Sequence, residues 1–246
     1  MGQSVTARVL RVLAAFSAER PELMLTEVGR RAELPLTTAH RIVGELTEWG
    51  ALERAADGRY RIGLRLWEVG ALAPRGLGLR ESAMPFLEDL YAVTKQNVQL
   101  AVLDGNEVVY LERLSGRGAV HVFTRVGGRL PLHATGVGLV LLAFATPELQ
   151  EQVLASPLKR YTSKTICHPD ELRRALAEVR RTGVAVSEGQ IELVSLSVAA
   201  PVRGPDGDVV AALSVVVPAG SADARAYVPV VLTAARGISR VLGCPD

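Results

Sequence analysis

Residues 25–62 read LTEVGRRAELPLTTAHRIVGELTEWGALERAADGRYRI, and this run decides the fold. Thr26 precedes Glu27, Val28, Ala32 and Leu34, so its hydroxyl is expected to cap a short helix that runs to about Glu33. Pro35 stops that helix, because proline brings no N–H and crowds the turn before it. A second helix is expected from Thr37 or Thr38, with Ala39, Ile42, Val43 and Leu46 inward, ending at Gly50. Two short helices across a tight turn form a helix-turn-helix. Ala51 to Ala55 and Arg59 to Ile62 then flank Asp57-Gly58, a dipeptide suited to the two-residue turn of a hairpin, which makes this segment a wing.

Outward from this run, Val5, Val9, Leu10, Val12, Leu13 and Phe16 fall at helical spacing and predict a first helix. Downstream, Leu64 to Leu72 predicts a connecting helix that breaks near Pro74-Arg75-Gly76, where the domain boundary belongs. A helix is expected over Leu79 to Thr94, then strands Val98 to Leu103 and Val108 to Leu114 hinged at Asp104-Gly105-Asn106. His121 to Val126 reads as a further strand, Thr135 to Phe144 as a glycine-rich helix start, and Asp170 to Arg181 as a polar-faced helix. Strands Val184 to Ser187, Leu196 to Val202 and Val209 to Val217, with a turn at Pro205-Asp206-Gly207, complete an antiparallel sheet before a last helix over Tyr227 to Leu242. The class is α+β: 1–63 a winged helix-turn-helix domain, 64–78 a linker helix, and 79–246 a larger domain.

The chain has 246 residues, 48% hydrophobic and 22% charged, the balance of a folded two-domain protein rather than a disordered one. No apolar run reaches the ~20 residues of a membrane span, and the start of the chain lacks signal-peptide features, so a cytoplasmic protein without a membrane partner is expected. Cys167 and Cys244 stand alone, and His121 and His133 lack metal-ligand spacing, so neither metal nor cofactor is implied. Cys167 beside His168 is the nearest approach to a catalytic pair, but adjacent side chains rarely meet productively and Pro169 favours a turn; no enzyme is expected. Gly116 to Gly118 and Gly136 to Gly138 lack the rest of a dinucleotide fingerprint. Net charge is +2, so affinity for nucleic acid must come from local clusters.

Such a cluster exists. A recognition helix needs small polar groups near its start and a cation to reach bases or phosphates. Thr37 and Thr38 suit phosphate oxygens, Ala39 lets the backbone approach, and His40 and Arg41 project one turn along, with Arg41 the foremost candidate. Arg59 and Arg61 alternate onto one face of the wing, while Thr26, Arg30 and Arg31 mark the two ends of the preceding helix.

The ordered series from RVLRVLAAFSAERPELMLTEVGRRAELPLTTAHRIVGELTEWGALERAADGRYRIGLRLWEVG through LRESAMPFLEDLYAVTKQNVQLAVLDGNEVVYLERL, GGRLPLHATGVGLVLLA, LRRALAEVRRTGVAVSEGQ and VAAPVRGPDGDVVAALSV resembles the IclR-type transcriptional regulators. The resemblance covers nearly the whole chain. It implies a GAF-like second domain that binds a small-molecule effector, a double-stranded DNA operator as partner, and a homodimer or homotetramer. It also implies pocket positions: Gly136 and Val137 at a helix start near a ligand carboxylate, Ser187, Ser197 and Ser214 as hydroxyl donors, and Ala119, Val122 and Leu130 as apolar wall. Three departures make this pocket less polar than the family pattern: Leu139 where a lysine is usual, Ser187 where an acid is frequent, and Val216 where a second serine is often found. These favour an aromatic or larger carboxylic metabolite over a very small, highly charged one. Whether regulation is by a repressor or an activator stays open, as does the alternative that the second domain only oligomerises.

Overall fold

Ser4 starts the first helix, α1 (Val5–Ala14), by accepting the Ala7 N–H at 3.1 Å. After it come β1 (Glu22–Leu23), α2 (Leu25–Arg31), α3 (Leu36–Trp49), β2 (Leu52–Arg54), β3 (Tyr60–Ile62) and α4 (Leu64–Gly70). The computed structural model describes residues 4–73, 77–116, 118–220 and 224–245. The expected break at Pro74-Arg75-Gly76, and Arg117 within the Gly116 to Gly118 run, lie outside the described residues. The chain divides into one unit over Met1–Leu77 and another over Gly78–Asp246, so α4, expected as part of a separate linker, falls in the first unit.

In the first unit Val12, Leu23, Val28, Ile42, Val43 and Leu52 form one core. The start of α2 differs from expectation. Met24 is the N-cap, Thr26 sits exposed in the first turn, and the Glu27 carboxylate accepts the Met24 N–H at 2.9 Å. A carboxylate three residues in thus does the work assigned to the threonine hydroxyl. α2 ends at Arg31, the chain reverses with Glu33 at φ 54, and α3 begins one residue early because Pro35, already at φ −56, serves as its N-cap. The wing turn is longer than expected. Ala55 N–H donates to Arg59 O at 2.8 Å and Gly58 N–H to Ala55 O at 3.0 Å, enclosing the three-residue loop Ala56-Asp57-Gly58. Gly58, at φ 86, takes the left-handed position such a loop requires. β1, too short to register as a pattern, adds to the far edge of β3, giving the order β1-β3-β2.

The second unit contains α5 (Leu77–Thr94), β4 (Asn97–Asp104), β5 (Glu107–Leu114), β6 (Arg129–Pro131), a 3-10 turn (Leu132–Ala134), α6 (Gly136–Ala143), α7 (Pro147–Ala155), α8 (Pro169–Thr182), β7 (Ala185–Glu188), β8 (Ser195–Arg203), β9 (Val209–Pro218) and α9 (Ala224–Val241). Its six strands form one antiparallel sheet in the order β6-β5-β4-β9-β8-β7. Alternation divides the central strands between two cores. Val98, Leu100, Val198, Ala200, Leu213 and Val215 face α5 and α9, whereas Ala101, Ala199 and Ala212 face α6, α7 and α8. Both faces are covered, so these strands read as continuous apolar runs.

The small residues on the second face matter. Alanine and serine leave room for α6 to lie directly on the sheet, and every residue of α6 is buried. The expected strand over His121 to Val126 does not form. That segment pairs with no strand; Arg113 donates to Thr124 O within it at 2.7 Å, and Asn97 Nδ2 to Val120 O just before it at 2.7 Å.

Candidate functional site

The first unit presents the outward face of α3. Ala39, Ile42 and Val43 are buried in the core, which turns Thr37, His40 and Arg41 to solvent and leaves Thr38 half-buried. The Arg41 guanidinium bonds Glu45, one turn on, at 2.6 Å. Both side chains are more than half exposed, and an exposed pair of this kind holds by only ~0–1 kcal/mol, so Arg41 is readily surrendered to a phosphate or a base edge.

The basic residues expected beside α3 divide. Arg30 is exposed, but Arg31 Nε donates to the Ala15 carbonyl at 2.6 Å and ties the end of α2 to the end of α1. Arg59 is exposed and pairs weakly with Asp57 at 3.4 Å. Arg61 stands in register with Glu53 on one side and Glu22 on the other, and bonds Glu53 at 2.9 Å. Arg61 therefore closes a cross-strand carboxylate cluster rather than extending freely from the wing. The Glu53 carboxylate is held below the usual carboxylate range chiefly by its hydrogen bond from Arg61 and then by the Leu64 N–H. Sequence reading missed Arg54, exposed at the wing tip with its guanidinium 5.6 Å from the centre of the Tyr60 ring. Its signal was its place one strand across from Tyr60.

The second unit contains a cavity of about 50 Å³ between the start of α6, the sheet and the segments 120–124 and 190–192. Thr135 makes the start of α6 by accepting the Gly138 N–H at 3.0 Å. Gly136 and Val137 then line the cavity, where a helix N-terminus favours an anion. Gly136 is packed so closely on β8 that a β-carbon there would stand 2.6 Å from Ser197 Oγ.

Of the expected pocket residues, Val122, Leu130, Gly136, Val137, Ser187 and Ser197 meet around this cavity. Ala119 does not line it; its N–H bonds the Gly116 carbonyl at 3.2 Å. Nor does Ser214, which is fully buried and reaches the cavity only through Gln99, its hydroxyl 3.5 Å from Gln99 Oε1. Gln99 itself lines the wall and donates to Thr124 Oγ1 at 2.6 Å. An amide standing among Val98, Leu100 and Val102 was the signal for it. Tyr110 also lines the wall; burial pushes its phenol well above the ordinary value against an opposing hydrogen bond with Thr135, so it stays a neutral donor. Glu192 accepts the Phe123 N–H at 3.3 Å and joins the two covering segments. It is the one charged side chain among the described residues of the lining, and no basic side chain is among them.

His133 points away from this chemistry. Its Nε2 lies 3.0 Å from the Lys159 carbonyl, and burial holds its pKa below the ordinary value. Cys167 and His168 gather no third group, and no cluster of three metal-ligating side chains occurs among the described residues. No described helix is long and apolar enough to cross a membrane.

Residues 5–56 match the model of the IclR helix-turn-helix domain, and residues 73–240 that of the bacterial transcriptional regulator IclR C-terminal domain. The HTH-type transcriptional regulator XynR of Escherichia coli (strain K12) is 32% identical over 84% of this chain and 83% of its own length. KdgR of the same strain is 30% identical over 99% and 94%. Among solved structures, an IclR homolog complexed with 4-hydroxybenzoate from Microbacterium hydrocarbonoxydans is 45% identical, covers 97% of this chain and 99% of that one, and superposes with a TM-score of 0.93.

Proposed function

Since the chain belongs to the IclR family of bacterial transcriptional regulators, we propose that it binds a palindromic operator as a homodimer or homotetramer and releases or engages it in response to an aromatic carboxylic acid of the 4-hydroxybenzoate type. The observation that carries the ligand class is the absence of a basic side chain from the described cavity lining. A carboxylate there rests on neutral donors at the start of α6, and the apolar Val122, Leu130 and Ile191 suit a ring. The relative that shares 45% of its residues was solved with 4-hydroxybenzoate.

Size links the ligand to regulation. An apolar core cavity of about 150 Å³ accommodates benzene, three times the 50 Å³ present here. We infer that a ring is accommodated by a shift of the covering segments, at the expense of bonds such as Gln99 to Thr124. A ligand that favours the shifted state moves the equilibrium between two arrangements of the protein, which is the requirement for control of a separate DNA-binding unit. Self-association is supported by apolar side chains left in solvent in the first unit, Leu10 on α1 and Leu64, Trp67 and Val69 on α4.

The test is to select DNA sites with the full-length protein, then titrate 4-hydroxybenzoate and glyoxylate into the complex by fluorescence anisotropy. A palindromic consensus and a response to the aromatic acid alone are expected. A response confined to glyoxylate removes the ligand class; selection of single half-sites removes the dimeric operator.

A further inference from the structure

A second concavity, of about 630 Å³, shares no residue with the effector cavity. It opens between the C-terminal half of α9, the end of α8 and β8, and three arginines are among its lining residues: Arg203, Arg236 and Arg240. No Asp or Glu is among its described lining residues. Arg203 is fixed in place, its guanidinium 4.9 Å from the centre of the Phe144 ring and donating to the Gly207 carbonyl at 2.7 Å. Its backbone N–H bonds Ser239 Oγ at 2.9 Å and joins β8 to α9.

Arg236 and Arg240 are exposed, one helical turn apart on α9 and so on one side of it, and neither has a hydrogen bond or ion pair with a described residue. On the adjoining α8, by contrast, Arg173 and Arg181 each have a carboxylate within 3.3 Å. The C-terminal ends of α8 and α9 each bring about half a negative charge, which three guanidinium groups outweigh. The hydroxyls of Thr182 and Thr233 already donate to backbone carbonyls, so the free donors of the groove are guanidinium N–H groups. Guanidinium forks match the oxygens of a phosphate in pairs, and a volume within the range of about 300–1,000 Å³ is that of a small-molecule site.

We propose that this groove is a second ligand site and takes a small phosphorylated metabolite, its phosphate held by Arg236 and Arg240 and a further anionic group by Arg203. The site stands apart from the effector cavity, and its failure would leave the reading of that cavity untouched. The experiment uses the full-length protein at fixed chloride concentration, with fructose 1,6-bisphosphate, inorganic phosphate and citrate as probes in calorimetry and thermal melting. The bisphosphate is expected to bind and to raise the melting temperature. Arg236→Gln with Arg240→Gln should weaken that binding by at least about tenfold through lost charge-assisted bonds, and Arg240→Gln alone by less. Neither change should alter melting without ligand, because both side chains are exposed. The cavity variant Ser187→Leu should bind the bisphosphate normally. Equal binding by the double variant, no binding by the wild type, or citrate or inorganic phosphate binding as tightly as the bisphosphate overturns the proposal. So does a double variant that loses operator affinity while still binding the bisphosphate, which would make the groove a DNA contact.

Discussion

Gly136 and Ser197 meet so closely that a β-carbon on the glycine would stand 2.6 Å from the serine Oγ and 3.1 Å from its Cβ. The start of α6, and with it one wall of the cavity, is seated on β8 by this contact. Gly136→Ala should therefore lower stability by ~1–3 kcal/mol, the usual cost of overpacking. Adding Ser197→Gly, which removes both crowded atoms, should restore part of the loss. Chemical denaturation of both single variants and the double measures the coupling; strictly additive losses would mean that the two residues do not hold each other.

Arg41→Ala should cut operator affinity by ~1–3 kcal/mol, because it removes the foremost cation from the exposed face of α3. Melting should hardly change, since the only bond lost among the described residues is an exposed pair with Glu45. Anisotropy at fixed salt decides it, and unaltered affinity would move the recognition surface off α3.

In the wing, Arg59→Ala should weaken binding to all sequences alike and make the salt dependence shallower by about one unit of slope, the effect of one lost phosphate contact. Arg61→Ala should cost less affinity, because Glu53 and Glu22 hold that guanidinium. Binding curves over a range of chloride concentrations compare them. A larger loss from Arg61 would mean that its carboxylates let go on DNA.

The helix-turn-helix, the wing and the strands β4, β5, β8 and β9 were legible because their signals are local: Pro35, Asp57-Gly58, and apolar runs broken by turn residues. Most of what escaped rests on contacts distant in sequence. His121 to Val126 alternates like a strand, yet Gln99 and Arg113 hold it from β4 and β5 through Thr124. The helix α7, with Thr146 as its cap and Pro147 in its first turn, was absent from the reading although its start signal is local. In the cavity, six of the eight expected residues converge. Gln99, Tyr110 and Thr135 were missed, because which face of a strand looks into the cavity depends on where α6 lies. Ser214 stands beside Gln99, its partner across β4 and β9, two residues short of Val216, which lines the cavity.

His133 gives a pH dependence with a definite sign. Burial lowers its pKa below the ordinary 6.5, against the raising effect of the Lys159 carbonyl. Above 6.5 the imidazole is neutral in both folded and unfolded chains and contributes no slope. Below it the unfolded chain takes up the proton first, so stability falls as pH drops toward the folded value, then falls no further from this source. His133→Gln should remove that component. The difference in melting temperature between wild type and variant is expected to narrow as pH falls below 6.5; a constant difference between pH 8 and 5 would mean that the ring is not desolvated.

The effector response is best tested at Ser187. Ser197→Leu, the obvious substitution from sequence, would drive a branched side chain into Gly136 and confuse sensing with folding. Ser187 lies directly across from Ser197 on β7, is 5% exposed, and lines the cavity without supporting α6 in this way. Replacing its hydroxyl with the isopropyl group of leucine occupies much of a 50 Å³ space. Ser187→Leu should thus abolish binding of 4-hydroxybenzoate, while operator DNA is still bound without ligand, because the residues proposed to contact DNA belong to the other unit. Ser187→Ala, which only enlarges the space, should keep the response. Calorimetry with 4-hydroxybenzoate and anisotropy with operator DNA are run on both variants. Undiminished ligand affinity in a folded Ser187→Leu protein would place the effector elsewhere, and loss of ligand-free DNA binding would make Ser187 a structural support of the DNA-binding state.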